Sequence, residues 1–213
     1  ENVGPAPPGY DEEPVAAIFL VHNSEHWGRD LQILVDVFID PLRFLAKRES
    51  TAILPEHEVD VIFGNVQDIL DVNGVFLERL HARAPTASLG RIFLDAIPSM
   101  HLYTKYVNNY EASMMALSAA KTSQKFELFI RECREMDGCQ NLDLQSFLIM
   151  PVQRLPRYEL LLRDLIKRTP DDHPDLGTLR EAVDAVRTTA GASSTSSSAA
   201  AAARRTSSAC SRR

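Results

Sequence analysis

The residues of this chain best suited to chemistry are the amide and charged groups of one segment, MPVQRLPRYELLLRDLIKRTP, residues 150–170. Gln153 and Arg154 sit between two prolines, and Arg157, Arg163, Lys167 and Arg168 follow. A guanidinium presents its donors in a rigid charged fork, which suits it to recognising a partner rather than to making or breaking bonds. On residue type alone, the same cations read as the solvated face of a core helix. Elsewhere the sequence supplies no reacting centre: no Ser/His/Asp order, no cluster of metal-ligand types and no glycine-rich phosphate loop. Cys133 and Cys139 are six apart without a partnering His or Cys, and Cys210 stands alone. That spacing argues for reduced thiols rather than a zinc site or a disulfide framework. No catalytic residue, metal or cofactor is expected.

Helices must carry these residues. Tyr158, Leu161, Leu162, Leu165 and Ile166 repeat on one face, and the cations line the others. Just before them, LDLQSFLIM (142–150) predicts a short helix that stops at Pro151, because a residue preceding proline avoids the α region. Proline is tolerated at the first position of a helix, so Pro151 reads as a joint between two helices and Pro156, one turn later, as a kink. Upstream, Leu20, Trp27, Leu31, Leu34, Phe38 and Leu42 form one stripe of a helix beginning after Pro14. Ile62, Val66, Ile69, Asn73, Phe76 and Leu80 form a second, entered through Pro55 with Glu56 and Glu58 in its first turn. Phe93, Ile97, Met100, Tyr103, Val107, Tyr110, Met114 and Leu117 form the third and longest, which Pro98 should kink rather than end. Phe126, Phe129, Ile130, Cys133 and Met136 form a fourth, closed by Asp137-Gly138. A final helix is expected over about 175–187, and no strand-like alternation exceeds four residues. The expected fold is all-α, an elongated helical bundle.

The totals suit one soluble domain. With 213 residues, 45% of them hydrophobic, the chain can bury a sizeable core. A net charge of -6 argues against a nucleic-acid partner. Residues 1–13 are Pro/Gly-rich and acidic and read as a flexible linker. Residues 188–213, rich in Ser and Ala with four arginines and no acid, read as a disordered tail. No apolar run approaches the roughly 20 residues that span a bilayer, and the N-terminus lacks a signal-peptide pattern. A cytoplasmic location is expected.

The order of letters says more than their periodicity. FLIMPVQRLPRYELLLRDLIKRTPDDHPDLGTL closely resembles the third conserved region of Dbl-homology domains, the exchange-factor domains that act on Rho-family small GTPases. LQILVDVFIDPL (31–42) resembles the first region, and LPEHEVDVIFGNVQDILDVNGVFLERL (54–80) the second. LGRIFLDAIPSMHLYTKYVNNYEASMMAL (89–117) and KFELFIRECREMDGCQNLDLQSFL (125–148) resemble the helices between. The resemblance spans 14–187 and implies a bundle of the Dbl-homology type. It implies a guanine nucleotide exchange factor that holds the nucleotide-free GTPase, remodels its two switch regions, displaces the GTPase's own Mg²⁺ and releases GDP. The partner implied is a Rho-, Rac- or Cdc42-like GTPase, and membrane contact would be indirect, through the GTPase or a neighbouring domain. The alternative is a scaffold of the same fold that binds a GTPase or another partner without exchange.

The resemblance also names residues. A family glutamate that reaches the first switch aligns with Ser24, and the nearest acid is Glu25, one residue and about 100° further round the helix. A family lysine before the Pro-x-Gln-Arg signature is replaced by Met150, which keeps an unbranched stem and loses the charge. Gln153 and Arg154 match the signature, either touching the partner or serving the core. Arg187 aligns near the position that reads the second switch. The expected switch contacts are thus Ser24, Glu25, Met150, Gln153, Arg154 and Arg187, with Met150 exposed in the free domain. Family members usually continue the last helix into a pleckstrin-homology domain, whereas a Ser/Ala/Arg tail follows Arg187 here.

Overall fold

In the computed structural model, residues 15–48, 50–83 and 87–193 are described, and all regular structure among them is helical. The helices are α1 (Val15–Ile33), α2 (Asp40–Ala46), α3 (Glu56–Phe63), α4 (Val66–Ala82), α5 (Leu89–Ala120), α6 (Gln124–Glu135), α7 (Leu144–Leu148), α8 (Met150–Arg168) and α9 (Leu176–Ser193). The expected linker, and the expected tail beyond residue 193, lie outside the described residues. The all-α bundle is as expected, and 32-residue α5 extends it to about 48 Å at 1.5 Å per residue.

The first stripe is one rod with a widened turn inside it. A π-helical segment, Leu34–Ile39, joins α1 to α2, and the Asp40 N–H bonds the Val35 carbonyl five residues back. The wide turn fits the four-residue steps from Leu34 to Phe38 to Leu42, which keeps all three buried. The next residue, Pro41, has no N–H to lose to the change of register.

The second stripe is not one helix. It divides at Gly64, whose φ of 55° is left-handed and ends α3. Stripes survive such a break because Ile62, Val66 and Ile69 stay buried on both sides of it. Side chains of α5 take the carbonyls that α3 leaves open: Asn109 Nδ2 donates to Val61 O at 3.2 Å, and Ser113 Oγ donates to Ile62 O.

α5 runs unbroken through Pro98. Its start is locked to α9. A Cβ on Gly90 would lie 2.5 Å from the Thr178 carbonyl carbon, so only glycine lets the two backbones meet there. Asp175, buried just before α9, accepts from Gly90 N at 3.1 Å and from Ser88 Oγ. Fourteen residues on, Thr104 Oγ1 donates to Thr189 O at 3.4 Å, so α5 and α9 run parallel. The last helix therefore does not stop near Arg187. Buried Val186 and Ala190, packed on the core, extend its apolar stripe, and α9 reaches Ser193.

The joint before α8 also differs from expectation. Asp143 caps α7 by accepting from Ser146 N at 2.7 Å. The break falls at Ile149, and Met150 is already helical, with Pro151 second in α8 rather than first. Both N–H groups that prolines 151 and 156 lack belong to α8, which nevertheless continues to Arg168. α4, α5 and α8 meet through three edge-on rings: Phe76–Phe93 at 5.0 Å, Phe93–Tyr158 at 5.4 Å and Phe76–Tyr158 at 5.6 Å.

Candidate functional site

Arg154 organises the seam between α1 and α8. It is 3% exposed, with Nη1 donating to Asn23 Oδ1 at 2.7 Å and Nη2 to Ser24 Oγ at 2.9 Å. Its guanidinium carbon lies 4.0 Å from the Tyr158 ring centroid and 5.3 Å from that of Trp27. The Trp27 indole donates in turn to Tyr103 Oη at 3.4 Å. Burial pushes the Tyr103 phenol well above its usual range, which keeps it a neutral partner. Arg154 Nε has no hydrogen-bond partner, and none of the arginine's partners among the described residues is a carboxylate.

Ser24 is fully buried, and its hydroxyl donates to Leu20 O at 2.9 Å. The expected surface contact is thus an interior one. A glutamate at this position, as the resemblance aligns it, would stand beside the Arg154 guanidinium. The sequence held a signal for this: the seven-residue step from Leu20 to Trp27 leaves a vacancy in the inward stripe, and Ser24 fills it. Arg154 serves the core as well. Asn23, which holds Arg154, has no such signal.

Glu25 turns the other way. Its two carboxylate oxygens face His81 Nε2 on α4 at 3.2 Å and His22 Nδ1 at 3.6 Å. It belongs to the α1–α4 flank, not to the α8 side. Met150 is half-buried and packs against the core, so it is not the free surface position expected. Gln153 is half-buried on the first turn of α8. Arg187 is exposed and pairs with Asp184 at 2.7 Å, the geometry of an ordinary surface helix pair.

Met150, Gln153 and Arg187 come to one level of the bundle, midway along α5. Tyr106 Oη donates to Leu148 O at 2.9 Å, and Thr104 touches Thr189, so the start of α8 and the end of α9 flank the same stretch of α5. Ser24 and Arg154 lie buried in the α1–α8 seam beside this level, and Glu25 lies outside it, facing α4. Such a surface can grip and orient a partner. Among the described residues, no group of three or more His, Cys, Asp or Glu is placed to hold a metal ion. No helix among them is long and apolar enough to cross a membrane.

A family model described as RhoGEF domain matches residues 20–193, which takes in all of the described helices except the first five residues of α1. The myosin-M heavy chain of Dictyostelium discoideum is 32% identical over 167 residues, 76% of this chain and 9% of that protein. Rho guanine nucleotide exchange factor 3 of Gallus gallus is 31% identical over 176 residues, 80% of this chain and 32% of that protein. The chain thus spans about a tenth to a third of the length of these curated relatives. Among solved structures, the DH/PH domains of PDZ-RhoGEF, in complex with GTP-gamma-S activated RhoA, superpose with a TM-score of 0.74 at 19% identity. That match covers 84% of this chain and 52% of the other, and it speaks to the fold.

Proposed function

The chain belongs to the RhoGEF domain family, and from that premise we propose that it is a guanine nucleotide exchange factor for a Rho-family small GTPase. The single observation that carries the reading is the family match over residues 20–193, which includes α5, α8 and α9, the helices that build the surface described above. Exchange of this kind needs no covalent step. The domain binds the nucleotide-free GTPase more tightly than the loaded one, and each factor of ten in that preference is about 1.4 kcal/mol. The start of α8 and the end of α9 contribute the grip, through Met150, Gln153 and Arg187. Arg154 is a positioning residue: it fixes α1 against α8 from below, so the surface is held in shape before the partner arrives. Work in the cytoplasm, with membranes met only through the GTPase or a neighbouring domain, is part of the same proposal.

One observation favours a second reading, a scaffold that binds without exchange. The acid expected to meet the first switch is absent from the α8 side of α1, where Ser24 is buried and Glu25 faces α4. Release of fluorescent GDP from Rho-, Rac- and Cdc42-like GTPases separates the two. Accelerated release from at least one supports exchange. Tight binding to the nucleotide-free form without acceleration selects the scaffold, and neither would overturn both readings.

A further inference from the structure

α2 and α3 lie side by side, bridged by an ion pair between Arg43 Nη2 and Asp60 Oδ1 at 2.9 Å. Leu42 and Val59, each one residue before a member of that pair, are both fully buried. One residue is about 100° of helix, so facing helices bury both residues on one side only if they run antiparallel. The residues that follow the pair, Phe44 and Val61, then share the opposite, outer side, where they are 69% and 40% exposed.

α5 flanks α3 along its other edge, where Asn109 Nδ2 donates to Val61 O and Ser113 Oγ to Ile62 O. Tyr110 and Leu117 turn to the core, whereas Ala112, the residue before Ser113, is exposed. Met115, one turn beyond Ala112, is 70% exposed. One outer face therefore runs from Phe44 over Val61 to a rim at Ala112 and Met115. It lies apart from the start of α8, since Met115 is about 14 Å further along α5 than Tyr106 at 1.5 Å per residue.

Contiguous exposed apolar surface marks a place where a partner docks, and the charges around Phe44 say which partner. Asp40 begins α2, and Arg48 follows its last turn, where Lys47 keeps helical dihedrals. Asp40, Phe44 and Arg48 are four residues apart, so one outward line carries an acid, a ring and a cation in that order. Asp40 and Arg48 are exposed, and among the described residues neither pairs with another side chain. Turned end for end about Phe44, this line is its own complement: each acid meets a cation, and the rings meet between them. A two-fold axis relating identical chains performs that rotation.

We propose that this face docks a second copy of the chain through antiparallel α2 helices that cross at Phe44. Asp40 of each copy lies against Arg48 of the other, and Val61 widens the apolar centre. The pairing does not depend on the exchange-factor reading.

Sedimentation velocity of the full chain, from low to high micromolar concentration, reads the pairing. The parent is expected to dimerise with increasing concentration. Phe44→Asp should raise the dissociation constant more than about tenfold, the loss typical of a central anchor. Ile18→Asp alters a comparably exposed apolar residue near the start of α1 and should stay within about twofold of the parent. Asp40→Arg and Arg48→Asp each set like charges together and should each weaken the dimer about tenfold. Combining both reversals restores opposite charges and should return it to within about threefold. These positions are exposed, so every variant should melt with the parent. A parent that stays monomeric throughout overturns the proposal. So does a dimer that Phe44→Asp leaves intact, or a double reversal that dimerises no better than the single ones. GDP release is a separate measurement, and these failures leave the exchange reading standing.

Discussion

Arg154 poses a question of sign, because it is a buried cation whose hydrogen-bond partners are neutral. Taking a guanidinium from water costs several kcal/mol even after relaxation. The unmet Nε adds about 1–3 kcal/mol. Against this stand two hydrogen bonds from a charged donor, about 1.5–3 kcal/mol each, and two ring contacts of up to about 2 kcal/mol each when desolvated. The sides nearly cancel, so the charge itself contributes little to stability. What remains is packing: the stem fills the space between Trp27 and Tyr158. Arg154→Met keeps most of that volume and discards the charge, and it should change unfolding free energy by less than about 1.5 kcal/mol. The partners tolerate this, since Ser24 keeps its bond to Leu20 O and half-buried Asn23 can turn to water. Arg154→Ala also empties the space and should cost about 3 kcal/mol, or about 6–12 °C in melting temperature for a domain of this size. Urea titrations of both variants measure the difference. If Arg154→Met falls as far as Arg154→Ala, the charge and its bonds, not the packing, hold α1 to α8, and the reasoning is refuted.

Other outcomes follow from single contacts. Gly90→Ala places a Cβ 2.5 Å from the Thr178 carbonyl carbon and so forces the two backbones apart, which should cost more than about 2 kcal/mol by thermal melting. Gly64→Ala meets the left-handed φ that ends α3 and should cost about 1–2 kcal/mol by the same measurement. Glu25→Ala, on the α4 flank, should leave GDP release within about fivefold, since a surface polar pair contributes at most about 1 kcal/mol. Cys133 is buried, and burial pushes its thiol up to about 12. It should therefore resist thiol reagents until the protein unfolds. Its raised value favours the neutral thiol of the folded state, so this stabilisation is complete below the ordinary thiol range and is lost as pH climbs towards 12. A pH series of urea titrations in Cys133→Ala, flatter than the parent's at alkaline pH, would show it.

The sequence was most legible where burial repeats. Leu20, Trp27, Leu31, Phe38 and Leu42 are all buried as their spacing requires, and so are Phe93, Met100, Tyr103, Tyr110 and Leu117. A stripe says which face of a helix looks inward, because the core selects one face for apolar side chains whatever lies across from it. It does not say where a helix stops. The break at Gly64 and the run of α9 to Ser193 depend on contacts from α5, Asn109 and Ser113 in one case and Thr104 in the other. No local pattern near residues 64 or 187 records those contacts. The joint lies at Ile149, two residues earlier than expected, beside a contact no local pattern records: Tyr106 of α5 bonds the Leu148 carbonyl at the end of α7.

The candidate site was legible in part, and the errors share a cause. Alignment assigns a position along the helix, while function depends on its rotation and on what the neighbouring helix supplies. Ser24 and Glu25 differ by one residue, and that single step carries one into the core beneath Arg154 and the other onto α4. A serine and an arginine 130 residues apart in sequence meet at 2.9 Å, and nothing in either segment's composition announces the pairing. Once it is known, the family alignment changes meaning. A glutamate in place of Ser24 would stand beside a buried arginine that has no carboxylate partner among the described residues, at the same position to which the resemblance gives a switch contact. The grip proposed for a partner must then come from residues that the buried Ser24–Arg154 pair leaves outside, such as Gln153 and Arg187.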